Sequence, residues 1–433
     1  MQLKSYYIML AACIGFGSCN NKGLFQGKST PHQQYKEGLI KTGLQQTHMG
    51  KQWIAMADKS LLNPVKINLP YKENGYFAPD KPSALGYSFT LRRGDKLIVS
   101  FTLNPARGFK LFSDLWLPDK RSSNDDPLAI MDTLSNTLQY IVKKEGEYIV
   151  RVQPELLYGI EYTMSITTTA SLAFPVQQSG KPRIISLWGV GRDNNSRKHE
   201  GIDISAPFRT PALAVANGYI TRVDVNNLGG KVVFLHPQGT DYSVYYAHLD
   251  EQSVKSGQSV KEGDIVGLVG NTGNAKFTAP HLHFGIYASG GAIDPLAFVD
   301  KDRPEPKGVS GSKQYFNTWV QTKGTSTVYL LPLAKSIALT TLKKGDILYV
   351  RSAMANWYKI NLPDGREGYI NYDMLSDGIL RKQKLLAATK LLDQPVATAP
   401  AITTIAAGDE IEVKGIFNEF IKVKYKDKEG WIK

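Results

Sequence analysis

Five of the seven histidines in this 433-residue chain fall between His199 and His283, and two of them form the fragment His281-Leu282-His283. Along a strand, residues two apart face the same side, so this pair can present two imidazoles together. The stretch His199-Glu200-Gly201-Ile202-Asp203 offers a second such face. His199 and Asp203 can point one way with Gly201 between them, where a side chain would obstruct a metal. Two imidazoles and a carboxylate suit a borderline-soft ion such as Zn²⁺ and leave a fourth position for water. The only cysteines are Cys13 and Cys19, so no thiolate is at hand for a closed structural zinc site, and no disulfide staples the folded part. A His₂Asp set is open, and therefore catalytic in type.

The elements that must position these groups read as strands. Between Ile184 and Val299 the runs VANGYITRVD, GGKVVFLHPQG, YSVYYAHLD and DIVGLVGNTG alternate with glycine-rich turns. HEGIDISAP at 199–207, YYAHLD at 245–250 and PHLHFGI at 280–286, in that order, resemble the three motifs of the lysostaphin/LytM-type peptidoglycan metallopeptidases. The resemblance covers about 115 residues, a little over a quarter of the chain. It implies a compact antiparallel β-sheet crossed by a groove. It also implies His199, Asp203 and His283 as zinc ligands, with His248 and His281 as a catalytic pair beside the metal. Zinc lowers the pKa of bound water towards neutrality. A neutral imidazole, His281 or His248, would take the proton as water attacks a peptide carbonyl and then hand it to the leaving amine. The other would help stabilise the oxyanion. His281 is favoured as the base because its strand neighbour His283 fixes it near the metal. The family often has an acidic residue directly after H-L-H-F, where this chain has Gly285. Arg192 and Asn194 are expected to line the groove, and His236, in the turn-like HPQG, to be an exposed loop residue.

Around this core the sequence predicts a mainly β, multidomain protein. Residues 1–19 read as a lipoprotein signal: behind Lys4 runs YYIMLAACIGFGSC, apolar but too short to span a bilayer. Cys19 is the expected lipidation site, with Cys13 the alternative because Leu10-Ala11-Ala12-Cys13 matches the lipoprotein pattern more tightly. Residues 20–65 hold a polar lead and a docking helix over 35–62, with Met49, Trp53 and Met56 at helical spacing and His48 on the surface. Residues 66–171 alternate as in a β-sandwich. The peptidase-like unit occupies 178–300, and KDRPEPKGVSGSK at 301–313 reads as a linker. Beyond it, Leu342-Lys343-Lys344-Gly345-Asp346 recurs as Ile405-Ala406-Ala407-Gly408-Asp409. These two units, 313–376 and 379–433, resemble bacterial SH3-like barrels, which often hold wall peptides.

The formal charge of +13 is unevenly placed: 181–300 carries 11 Lys/Arg against 11 Asp/Glu, whereas 301–433 carries 21 against 14. An exported chain with its basic excess outside the histidine segment points to cell-wall polymer or anionic lipid as partner, and not to nucleic acid. The reading is an exported zinc metalloendopeptidase acting on peptidoglycan, lipid-anchored in the bacterial envelope and facing the periplasm. The rival is a non-catalytic wall-binding scaffold, or an activator of another hydrolase, built on the same fold. The flanking modules around one small core raise the hypothesis, which the sequence does not decide, that the N-terminal helix or a barrel blocks the groove until a partner removes it.

Overall fold

A computed structural model describes residues 29–433 except 107, 122–124 and 193. Cys13, Cys19 and the rest of the expected signal lie outside the described residues. The chain is mainly β. Among the described residues no helix is long and apolar enough to cross a membrane.

Where the sequence predicts one helix over 35–62, there are two: α1 (Pro31–Lys41) and α2 (His48–Leu62). The break is chemical. Gly43 takes a positive φ of 77°, and Thr47 then caps α2 by accepting a hydrogen bond from the Gly50 amide at 3.0 Å. Thr30 caps α1 in the same way, ahead of Pro31. The buried stripe of α2 is Gly50, Trp53, Ala57, Ser60 and Leu61; Met49 and Met56 lie on its half-buried flanks, and His48 is exposed. Trp53 donates its indole N–H to the Pro154 carbonyl at 2.8 Å, which ties α2 to the strand Gly146–Pro154.

Residues 65–170 build two sheets that share one core. One sheet has the order 65–66, 85–91, 146–154, 111–116, 129–130. The other contains Tyr71–Phe77, Ile160–Ala170, Asp95–Asn104 and Thr137–Ile141. Tyr87 and Phe89 of the first sheet meet Leu97, Val99 and Ile166 of the second. The second sheet does not end there. Tyr71–Phe77 also pairs with Ile347–Met354, opposing Asn74 to Ala353 and Gly75 to Ser352, so a strand from the C-terminal region continues the same sheet. Beside this seam Glu73 is fully buried and accepts hydroxyl hydrogen bonds from Tyr71, Tyr87 and Tyr162. Three donors on one carboxylate offset the cost of removing it from water.

The sequence repeat is also a structural one. Strands starting at 326, 338, 347 and 357 recur at 389, 401, 410 and 420, the same step of 63 residues. The two units meet through Trp319 and Trp431, whose rings stand edge to face at 5.4 Å, with Lys422 over both.

The segment between the sandwich and these repeats holds a separate antiparallel sheet. Its main strands are β1 (Arg183–Ser186), β2 (Ile202–Ser205), β3 (Gly218–Asn226), β4 (Gly230–Pro237), β5 (Tyr242–Gln252) and β6 (His281–Ala288). Their order in the sheet is β1-β2-β6-β5-β4-β3. One face is an apolar core that includes Ile202, Ile204, Tyr246, Leu282, Phe284 and Ile286. The sheet is fastened to the sandwich by Asp95, which is buried and pairs with Arg303 at 3.0 Å, and by the Leu172 amide on the Phe298 carbonyl.

The N-terminal helices carry a buried titratable group. The His32 ring stacks on Trp53 at 4.8 Å and bonds Gln153 Oε1 at 2.7 Å. Burial, reinforced by Arg151, pushes its pKa down to about 4, against the opposing pull of Asp114 and Gln153. The unfolded chain takes up a proton near pH 6.5 that the folded chain resists, so stability falls as pH drops from 6.5 towards 4. Complete expression of the shift is worth about 3 kcal/mol. Melting curves at pH 7 and pH 4 should therefore show a smaller acid-induced loss for His32→Gln than for the parent chain. Equal losses would remove His32 as a source.

Candidate metal centre and active site

The register between β2 and β6 opposes Ile202 to Phe284, Asp203 to His283, Ile204 to Leu282 and Ser205 to His281. Because side chains alternate, Ile202, Ile204, Leu282 and Phe284 are buried in the core, and Asp203, His281 and His283 emerge together on the other face. His199 joins them differently from the strand alternation read in the sequence. β2 begins only at Ile202, and His199 precedes it, held by backbone hydrogen bonds with Gly189 and Val190. From there its imidazole reaches Asp203 Oδ1 at 3.0 Å and His283 Nδ1 at 3.0 Å, and the latter lies 3.1 Å from the same oxygen.

These three donor atoms fit a cation. The Leu187 carbonyl, 2.9 Å from His199 Nδ1, assigns that nitrogen the proton and leaves Nε2 as a lone pair aimed at a carboxylate oxygen. Burial lowers the His283 pKa, although Asp203 opposes it, which favours the neutral ligand form. Burial alone would raise the Asp203 carboxyl, but the imidazoles of His199 and His283 outweigh it and hold the group well below the usual carboxylate range. Two imidazole nitrogens and an anionic oxygen, mutually near 3 Å and largely buried, make a site for a divalent metal.

His248 and His281 lie alongside, with ring centroids 5.0 Å apart. His281 arrives by alternation, two residues before His283. His248 does not. In β5, Tyr246 and Leu249 are fully buried, Tyr245 and Ala247 line the cleft, and strict alternation would send His248 into the core. The ladder to β4 shifts between Lys231 and Val233, and His248 takes a positive φ of 61°. This bulge turns the imidazole onto the cleft side. Each ring is oriented by a backbone carbonyl on Nδ1, Thr272 for His248 and Ala279 for His281, both at 2.9 Å. Their Nε2 atoms are thereby left as lone pairs. Burial, together with the neighbouring His281 and His283, brings the His248 pKa down to about 4, so this ring is neutral at pH 7.

The five residues share a cleft of about 760 Å³, and every described residue lining it lies between Ile185 and Tyr287. Neither the N-terminal helices nor the C-terminal units contribute to its described walls. Arg192 lines the cleft, whereas Asn194 is exposed at the turn of the short hairpin Gly191–Lys198 and does not. His236 is not in a loop. It is the last but one residue of β4, half-buried, opposite Tyr219 with the rings 5.3 Å apart. An aromatic wall of Phe234, Tyr245 and Tyr287 went unread in the sequence, although Tyr287 follows His283 by four residues and Tyr245 precedes Ala247 by two, both on the cleft face. That same wall explains Gly285: a Cβ there would stand 2.9 Å from the Tyr287 ring and 3.1 Å from the Glu200 carbonyl.

Gly201 is needed for the ligand beside it more than for the metal. A Cβ at this position would lie 2.6 Å from the Phe284 carbonyl oxygen and 2.7 Å from His283 Cε1. Gly201→Ala should displace the His283 ring, weaken metal binding by at least about tenfold and lower stability by about 1–3 kcal/mol. Metal titration and thermal melts measure both effects, and an unchanged affinity would refute the steric argument.

Residues 197–295 match the model of peptidase family M23. Among curated proteins, the chain is 35% identical over 94 residues to the peptidoglycan DD-endopeptidase ShyC of Vibrio cholerae, covering 22% of this chain and 21% of that one. It is 37% identical over 111 residues to the uncharacterized lipoprotein YgeR of Escherichia coli, covering 25% of this chain and 42% of that one. Among solved structures, the catalytic domain of the antimicrobial peptidase lysostaphin from Staphylococcus simulans is 31% identical, with 28% of this chain and 92% of that one covered and a TM-score of 0.25. The chain thus spans between about a fifth and two fifths of the length of these two curated relatives. The matched segment contains His199, Asp203, His248, His281 and His283, and this part of the chain is a peptidase family M23 domain.

Proposed function

We propose that this chain is an exported, zinc-dependent metalloendopeptidase that hydrolyses peptide bonds in peptidoglycan. The observation that carries the reading is the convergence of His199, Asp203 and His283 within hydrogen-bonding distance of one another, with the His248 and His281 rings beside them. Two imidazoles and one carboxylate suit zinc and leave a coordination position open. Bound there, zinc would polarise a peptide carbonyl and make water nucleophilic near neutral pH. The chain's own residues supply the rest. A neutral Nε2 of His281 or His248 takes the proton of the attacking water and delivers it to the departing amine. The Thr272 and Ala279 carbonyls keep these rings in the tautomer that can accept it. Tyr245 and Tyr287 give the cleft an apolar wall against which a peptide can lie.

The relatives support the substrate class, since ShyC is named for peptidoglycan endopeptidase activity. The lipoprotein name of YgeR agrees with an envelope location and with lipidation at Cys19. In this reading the segments 313–376 and 379–433 are SH3-like units that hold the wall. The cleft opens without obstruction from the described flanking segments, which suits a polymeric substrate.

Purified peptidoglycan incubated with the mature protein, with and without zinc, and analysed by mass spectrometry should yield peptide fragments that require the metal. His283→Ala should lose both zinc and activity. His248→Ala and His281→Ala should retain zinc and lose about 10²–10⁴-fold in turnover. Zinc-loaded protein that releases no fragments would identify a wall-binding scaffold instead.

A further inference from the structure

The two oxygens of Asp203 are treated differently. Oδ1 faces His199 Nε2 and His283 Nδ1, whereas Oδ2 accepts a hydrogen bond from Arg192 Nη2 at 2.5 Å. The same Nη2 donates to Ser186 Oγ at 2.9 Å. Ser186 stands opposite Asp203 in the β1–β2 ladder, and its Oγ lies 3.3 Å from His199 Nδ1. One guanidinium therefore touches one metal-binding side chain directly and a second through a serine.

The backbone makes this arrangement specific. Arg192 opens the hairpin Gly191–Lys198, whose outgoing strand runs straight into His199. Gly189 and Val190, just before the hairpin, carry the backbone hydrogen bonds that hold His199. The arginine and the histidine thus hang from the same short ladder. Arginine cannot lose its proton near neutral pH, so Oδ2 stays occupied.

Building on the zinc-site reading above, we propose that Arg192 is a positioning residue that makes Asp203 a one-oxygen ligand and, through Ser186, steadies His199. With Oδ2 held by the guanidinium, only Oδ1 faces the metal, and the coordination position a bidentate carboxylate would fill stays free for water. A bare positive charge near a divalent cation repels it. The sign of the Arg192→Ala effect therefore separates a clamp from a competitor: removing a clamp weakens metal binding, and removing a competitor strengthens it.

The test uses the full mature chain and measures zinc affinity by competition with a chromophoric chelator, together with the visible absorption spectrum of the Co²⁺-substituted protein. Arg192→Ala should weaken zinc binding by about 10–100-fold and shift the Co²⁺ bands as Asp203 becomes free to bind through both oxygens. Arg192→Lys, which keeps the charge but lacks the planar fork, should fall between Arg192→Ala and the parent. Ser186→Ala should show a smaller loss in the same direction. Arg192 is partly exposed, so the metal-free variants should melt with the metal-free parent. His283→Ala serves as the reference. If it binds zinc like the parent, the metal-centre reading fails, and this proposal with it. If His283→Ala loses zinc while Arg192→Ala binds it within twofold of the parent, or more tightly, only the positioning role is overturned.

Discussion

Asp203 opposes His283 across two antiparallel strands, and the site is organised around that one pairing. The register places the carboxylate and the imidazole within 3.1 Å on one face of the sheet and seats Ile202, Ile204, Leu282 and Phe284 in the core on the other. A slip of a single residue would exchange the two faces, burying the ligands and exposing the core. The hydrophobic side of β2 and β6 therefore enforces the geometry of the polar side. Close packing against His283 is also why residue 201 must lack a Cβ.

Around this pairing the protein uses backbone carbonyls to set proton positions. Leu187, Thr272 and Ala279 each accept a hydrogen bond from the Nδ1–H of one imidazole, which leaves three Nε2 lone pairs available in the cleft. These carbonyls belong to loops and strand ends, whose positions are fixed by the ladder they leave. Burial then keeps His248 and His283 neutral, the state needed for a base or a ligand. Orientation and charge state are thus set by different devices, hydrogen bonding for one and desolvation for the other.

The flanking segments form a support separate from the cleft. The sandwich and the first C-terminal unit are joined by ladder hydrogen bonds through Tyr71–Phe77 and Ile347–Met354. The second C-terminal unit packs on the first through the two tryptophans and Lys422. The Asp95–Arg303 pair then fixes the peptidase unit to the sandwich. The basic excess of residues 301–433 lies on this frame, outside the unit that carries the cleft.

Residue types and two-residue spacings point to His199, Asp203, His281 and His283, the resemblance of the three motifs adds His248, and the structure brings all five to one cleft. Local patterns likewise made the strand-rich character and the 63-residue repeat legible. The sequence suggests one helix over 35–62 because the spacing of Met49, Trp53 and Met56 does not show where the helix starts, and the break depends on Gly43's left-handed conformation and the Thr47 cap. Tertiary structure alone decided how His248 reaches the cleft, since a bulge is set by the partner strand and not by the bulged sequence. It also decided that His199 approaches from outside β2, that Arg192 takes one oxygen of Asp203, and that the sandwich shares a sheet with a strand almost 280 residues away. Each of these rests on hydrogen bonds between segments distant in sequence, and such pairings leave no periodic trace in the residues that make them.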